Sequence, residues 1–120
     1  MSSTKLKKIL VCGGRDYNDR DRVFDELNIL RMDGPVAIIN GDAKGADQIS
    51  YEWAEITISP VVLHPPKWHE HGKKAGVLRN QEMLDMWDPD IVLAFPGGKG
   101  TADMVKRSKD QGYEVKEIDG

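Results

Sequence analysis

Residues 91–105 read IVLAFPGGKGTADMV: an apolar run, a break at Pro96-Gly97-Gly98-Lys99-Gly100-Thr101, then a helix-like stretch. This is a strand, a phosphate-sized loop and a helix start. Three glycines in four positions remove the Cβ atoms that keep a ligand off the backbone, and positive φ at such residues lets successive N–H groups point one way. At a helix N-terminus a loop of this kind attracts anions. The pattern alone also describes a tight turn that binds nothing, so its surroundings decide.

The same order recurs along the chain. Lys8 to Cys12 (KILVC) is a short apolar run closed by Gly13-Gly14, as suits a strand buried on both faces. Val23, Leu27 and Leu30 then fall at helical spacing until Gly34-Pro35 stops the pattern. Val36 to Asn40 is a second strand, Gly41 to Gly45 a loop, and Ala46, Ile49, Trp53 and Ile56 line one helical face. Pro60 introduces a third strand, Val61 to Leu63, and the polar segment His64 to Gly72 is the longest loop. Val77, Met83, Leu84 and Trp87 share one side of a looser helix, interrupted at Asn80 and ending at Asp88-Pro89. After the strand Ile91 to Phe95, Thr101 to Gln111 makes the last helix and Tyr113 to Ile118 the last strand.

Strands alternating with helices imply an α/β fold: a single Rossmann-like domain over residues 1–120, its mainly parallel sheet of about five strands flanked by four helices. The strand order stays open. Each strand-to-helix loop opens at the carboxyl edge of such a sheet, where ligands of these folds bind.

The bulk numbers narrow the partners. A chain of 120 residues, 39% hydrophobic and 31% charged, closes one core and hardly two. Its formal charge of -3 provides no broad basic surface for nonspecific nucleic-acid binding, and Lys5, Lys7 and Lys8 read as a solvated tail. The lone Cys12 forms no internal disulfide and, at the end of an apolar strand, reads as a small buried thiol rather than a nucleophile. No apolar run approaches membrane-spanning length and Met1 to Leu6 is too polar for a signal peptide, so an intracellular, cytoplasmic protein is expected.

Three of the four strand-to-helix loops are glycine-rich, and their convergence on one edge makes a nucleotide-like ligand the default. Gly13-Gly14-Arg15-Asp16 offers Arg15 either as a planar fork for phosphate or as a surface partner of Asp16 or Asp19. In Gly41-Asp42-Ala43-Lys44-Gly45-Ala46-Asp47, Asp42 suits ribose hydroxyls or a base, whereas Asp47 favours the first turn of the helix. Arg79 and Asn80 follow the long loop, and Arg79 is a phosphate-clamp candidate. His64, His69 and His71 with Glu70 match no zinc spacing, so no metal and no cofactor are expected. That segment reads better as a lid, with Trp68 to stack on a base and Lys67 or Lys73 to meet phosphate.

Taken in order, Gly13-Gly14-Arg15-Asp16, the Gly41 to Asp47 loop, Arg79-Asn80 and Pro96 to Thr101 resemble the SLOG superfamily. That superfamily joins the DNA-processing proteins, the Lonely Guy phosphoribohydrolases and the YspA/YpsA-like group, and the last is the most similar. The resemblance spans nearly the whole chain. It implies a Rossmann-like fold that binds nucleotides or nucleotide-derived signals, often as a dimer. Together with the reading of the loops, it makes Gly13, Gly14, Arg15, Asp16, Gly41, Asp42, Lys44, Gly45, Trp68, Arg79, Asn80, Pro96, Gly97, Gly98, Gly100 and Thr101 the candidate ligand contacts. Enzymatic Lonely Guy proteins carry PGGxGTxxE, whose glutamate works with an upstream arginine to cleave a nucleotide's N-glycosidic bond. Arg79 resembles that arginine, but Met104 stands at the glutamate.

Asp103 comes one residue early, and one helical step turns a side chain by about 100°, which predicts a carboxylate pointing away from the reaction centre. Glu82, nearly one turn after Arg79, is the other substitute. Met104 neither stabilises an oxocarbenium-like charge nor activates water. The leading expectation is therefore a nucleotide-binding module that forms a homo-oligomer. A nucleotide N-glycosidase using Arg79 with Glu82 or Asp103 is the alternative. A single-stranded DNA binder, disfavoured by the acidic balance, comes third.

Overall fold

The computed structural model describes residues 6–67 and 71–119, the side chain of residue 73 excepted. Five strands, β1 (Lys7–Cys12), β2 (Val36–Asn40), β3 (Val61–Leu63), β4 (Ile91–Ala94) and β5 (Val115–Glu117), pair in the order β3-β2-β1-β4-β5. Every pairing is parallel, with Ile9 opposite both Ile38 and Ile91. Among the described residues the α-helices are α1 (Arg20–Arg31), α2 (Ala46–Thr57), α3 (Ala75–Trp87) and α4 (Lys99–Asp110); a 3₁₀ turn at Gly72–Lys74 leads into α3.

Alternation along the central strands builds two cores. Ile9, Val11, Ile38, Leu93 and Phe95 face the layer of α1 and α2 and pack on Val23, Leu27, Trp53 and Ala54. Leu10, Cys12, Ile39, Val92 and Ala94 face the opposite layer and pack on Met83 and Leu84 of α3 and Met104 of α4. Both faces of β1, β2 and β4 are covered, which is why these strands read as unbroken apolar runs. The Trp53 indole N–H donates to Asn28 Oδ1 at 2.9 Å and ties α2 to α1.

Four details differ from the sequence reading. Ile56 is 63% exposed, because α2 buries Ala46, Asp47, Ser50, Trp53 and Ala54, a stripe that leaves Ile56 to one side. Val77 is also exposed, while Asn80 is buried without interrupting α3, since its amide bonds across to α4. The last helix starts at Lys99 rather than Thr101, its first turn closed by Ala102 N–H donating to the Gly98 carbonyl at 3.0 Å. Finally, Gly97, Gly98 and Gly100 do not use positive φ; among the described residues the glycines that do are Gly34, Gly45, Gly72 and Gly112.

Candidate functional site

Chain progression leaves β1 for β2 and β3 on one side and resumes at β4 and β5 on the other, so the sheet has its topological switch between β1 and β4. The helices that follow these two strands pack on opposite faces of the sheet, and in such sheets this switch is the usual ligand position. The ends of β1 and β4 are locked together: Gly14 N–H donates to the Pro96 carbonyl at 2.8 Å, and the Tyr17 ring packs on Phe95 with centroids 5.3 Å apart.

The glycines of these loops serve mainly close packing. A Cβ on Gly97 would lie 2.6 Å from Gly14 N and collide with Thr101 Oγ1. Gly45 has φ +80°, and a Cβ there would collide with the Gly14 carbonyl and approach that of Arg15 to 2.8 Å. Gly13 and Gly14 are closed off in the same way by Ala46 and by the backbone of Pro96 and Gly97. Gly98 and Gly100 differ: a Cβ on either meets nothing within 4 Å. The open ground of the Pro96 to Thr101 loop is therefore at the start of α4. Gly98, its N-cap, supplies no side chain, so the first-turn N–H groups carry no side-chain cap and the positive end of the helix dipole faces outward.

Arg79 comes to this edge from α3. Its Nη1 donates to the Gly41 carbonyl at 2.9 Å and its Nε to Asn80 Oδ1 at 3.2 Å. Burial lowers its pKa from the ordinary guanidinium range, and Asp47 pulls it back up. Asn80 Nδ2 in turn donates to the Gly100 carbonyl at 3.1 Å and to Asp103 Oδ2 at 2.9 Å. Arg107 Nε donates to the same Asp103 oxygen at 2.8 Å. Asp103 thus lies one hydrogen-bonded residue from Arg79, because Asn80 bridges α3 and α4.

Glu82 goes elsewhere. It faces the segment after β3, with His64 Nε2 at 3.6 Å and Lys67 Nζ at 3.8 Å. The Trp87 indole N–H lies 3.4 Å from His64 Nδ1, so His64 is held between α3 side chains. No bond joins Glu82 to Arg79 among the described residues. Trp68, His69 and Glu70 lie outside those residues.

The loop after β2 is braced from within. Asp47, buried at the start of α2, accepts from the N–H groups of Gly41 at 3.1 Å and Ala43 at 3.2 Å. Its carboxyl is pushed up to about 6 by burial, against the pull of those N–H groups and of Arg79. Asn40, buried beside it, donates to the Asp47 carbonyl and Ser50 Oγ and accepts from Asp42 N–H at 2.9 Å. That turn holds Asp42 at φ +58° with its side chain exposed. The sequence reading gives Asp47 to the first turn of the helix; in the structure its carboxylate accepts from the loop N–H groups of Gly41 and Ala43 and ties the loop to α2. The roles of Asn40 and Asp47 in shaping the loop were not legible in the sequence, although an Asn and an Asp flanking a glycine loop are a usable signal.

Arg15, Lys44 and Lys99, one on or beside each glycine loop, are exposed and form no ion pair among the described residues. Arg15 does not pair with Asp19, which instead caps α1 by accepting from Arg22 N–H at 3.1 Å. Asp16 is exposed as well. Two cavities flank the switch. The larger, about 520 Å³, runs from Pro96, Gly97, Gly98 and Thr101 along α4 to Ile118. The smaller, about 270 Å³, lies between the loop after β2, α2 and Leu63. Cys12 lies under the edge in the core, where burial raises its thiol far above the usual range. It offers no nucleophile. No helix among the described residues is long and apolar enough to cross a membrane.

Comparison with known proteins agrees with this fold. The X-ray structure of TM1055 superposes with a TM-score of 0.71 at 20% identity, over 92% of this chain and 72% of that one. The C-terminal domain of PF1911 hydrogenase from Pyrococcus furiosus gives 0.56 at 14% identity over 98% and 97%. MurG from Acinetobacter baumannii gives 0.58 at 10% identity over 92% of this chain but 34% of its own. At such identities the likeness is one of fold. In sequence, the chain is 36% identical over 120 residues to the Gene 61 protein of Mycobacterium phage D29, covering 92% of this chain and 94% of the relative. A family model described as the YspA, cpYpsA-related SLOG family matches residues 7–71, from β1 to the segment after β3. With its Rossmann-like sheet and its glycine loops at the switch point, this chain belongs to the YspA, cpYpsA-related SLOG family.

Proposed function

We propose that this chain binds a nucleotide or nucleotide-derived ligand at the carboxyl edge of the sheet, with its phosphate on the first turn of α4. The observation that carries the reading is the uncapped N-terminus of α4 at the topological switch, with open space over Gly98 and Gly100. Helix dipole, backbone N–H groups and the exposed Arg15 and Lys99, which form no ion pair among the described residues, favour an anion there. Family membership supports a nucleotide-related ligand. Arg79 enters as a positioning group: with one guanidinium nitrogen on the Gly41 carbonyl and another on Asn80, it holds the loops in register and lends positive charge to the edge.

Mass spectrometry of small molecules released on denaturing purified protein, followed by calorimetry with nucleotides, tests this. A released or titrated nucleotide whose affinity falls in Lys99→Ala and Arg15→Ala supports it. No ligand and no heat across a broad nucleotide panel overturn it.

The N-glycosidase reading ranks second and has one supporting observation, the placement of Asp103 beside Asn80 and Arg79. Against it, the Asp103 carboxylate is already bonded to Asn80 and Arg107, and Met104 is fully buried. Release of free base from nucleoside monophosphates that disappears in Asp103→Ala and Arg79→Ala would establish it. Assembly as a homo-oligomer is supported by the family resemblance and is read directly by light scattering.

A further inference from the structure

The two cavities beside the switch differ in what their walls have left to offer. Along the larger one, Lys106 pairs with Asp110 at 2.7 Å and Lys109 with Glu117 at 2.6 Å, so its charged rim is largely self-satisfied. The smaller cleft is the reverse. The side chains of Asp42, Lys44, Gln48 and Tyr51 line it, and none of the four makes a hydrogen bond or ion pair with a described residue. Its apolar wall is Leu63 at the end of β3, 41% exposed, with the half-buried Tyr51 of α2 lining the same space.

From this we infer that the cleft between α2 and β3 receives the nucleoside part of the ligand, with Tyr51 and Leu63 as its walls and Asp42 and Gln48 as its reading groups. The inference rests on the nucleotide reading above and adds to it where specificity lies. An aromatic ring and an aliphatic side chain suit the two faces of a planar base, which every base offers alike. The discriminating contacts come from a carboxylate, which only accepts, and a primary amide, which donates and accepts; together they read a base edge or ribose hydroxyls. The volume of about 270 Å³ suits a base with part of its sugar rather than a polymer.

Position supports the same assignment. The cleft lies at the carboxyl end of β2 and the open turn of α4 at that of β4, with β1 between them. Two strand spacings separate the ends, about 10 Å, a span that one mononucleotide bridges. Lys44 lines the cleft and stands next to Gly45, which packs on the Gly14 backbone, and Gly14 in turn packs on Pro96 and Gly97 just before α4. The Asn40–Asp47 brace keeps the cleft formed without a ligand, because the floor it supplies is already hydrogen-bonded.

The test is titration calorimetry of the whole chain with adenosine, guanosine, cytidine and uridine 5′-monophosphates and with inorganic pyrophosphate, on the unaltered protein and on Tyr51→Ala, Leu63→Ala and Gln48→Ala. Gln48 is exposed, so its variant folds even if the other two are impaired. The expected result is that one nucleotide binds more tightly than pyrophosphate, and that Tyr51→Ala weakens it by about tenfold through the lost stacking wall. Gln48→Ala narrows the spread among the four nucleotides, and pyrophosphate binding is unchanged throughout. Nucleotide binding that survives all three substitutions overturns the cleft assignment and leaves the nucleotide reading standing, as does pyrophosphate bound as tightly as every nucleotide. Failure of the unaltered protein to bind any of the five overturns the cleft assignment, and the nucleotide reading falls with it when the broad panel and the released small molecules are also blank.

Discussion

Arg79 reaches from α3 across the edge of the sheet to donate to the Gly41 carbonyl at 2.9 Å, and the guanidinium fills the space a Cβ on Gly41 would take. The two residues are 38 positions apart in sequence, yet a Cβ on Gly41 cannot be added without moving the guanidinium. The loop after β2 and the helix after β3 are joined at this point.

Two glycines of one loop should therefore respond differently. In Gly41→Ala the obstacle is the end of a long side chain, which swings aside, and the loss is about that of one hydrogen bond, ~1 kcal/mol. In Gly45→Ala the obstacle is the Gly14 and Arg15 backbone, and φ is +80°, so the loss is about 2 kcal/mol or more. Urea midpoints rank the two. Equal losses would show that the Gly45 collision is relieved by loop movement.

Asp47 gives stability an unusual pH dependence. Its carboxyl titrates near 6 in the fold, against an unfolded value of 3.8, because burial disfavours the charge. The native state thus binds the proton more tightly than the unfolded chain, and ionising Asp47 costs stability as pH rises from about 4 through about 6. A shift of this size corresponds to roughly 3 kcal/mol at neutral pH. Asn at this position keeps an oxygen for the Gly41 and Ala43 N–H groups and has no charge to bury. Unfolding of Asp47→Asn and the unaltered protein should differ most above pH 7, in favour of the variant, and converge near pH 4. A difference independent of pH would remove Asp47 from this account.

Cys12 should be silent toward thiol reagents in the native state. It is buried beneath the switch, and burial with Asp47 nearby holds the thiol protonated. Labelling by an aromatic disulfide reagent should rise with urea along the unfolding transition and not before. Fast labelling in buffer would mean that the carboxyl edge opens locally.

The strands and most helix faces were legible because burial on both sides of a parallel sheet imposes continuous apolar runs and because Gly-Pro and Asp-Pro pairs stop helices. Strand order was not, since β1 acquires β4 as a neighbour only through packing across eighty residues of chain. The glycines illustrate the limit at the site. Gly97 and Gly98 look alike in sequence, but one is there to admit the Gly14 backbone and the other to leave space. Asn80 misled for a related reason: a poor helix former on its own, it is held in α3 by partners twenty or more residues away on α4. The lid residues from Trp68 to Glu70 stay an expectation of the sequence.

Met104 separates binding from catalysis most directly. It is fully buried with Leu10, Cys12, Ile39 and Leu84 on the underside of α4, so the position where the Lonely Guy motif has its glutamate points into the core of this chain. Restoring the motif with Met104→Glu would bury a carboxyl among aliphatic side chains, where an unpaired charge costs several kcal/mol and the group prefers to stay protonated. The variant should unfold about 3 kcal/mol more easily at neutral pH, recover part of that loss as the pH falls toward 5, and release no base from nucleoside monophosphates. Denaturation at the two pH values, with chromatography for free base, checks all three. A stable variant that gained base release would show that α4 can rotate its glutamate to the edge beside Arg79, and that Met104 alone withholds hydrolysis from this site.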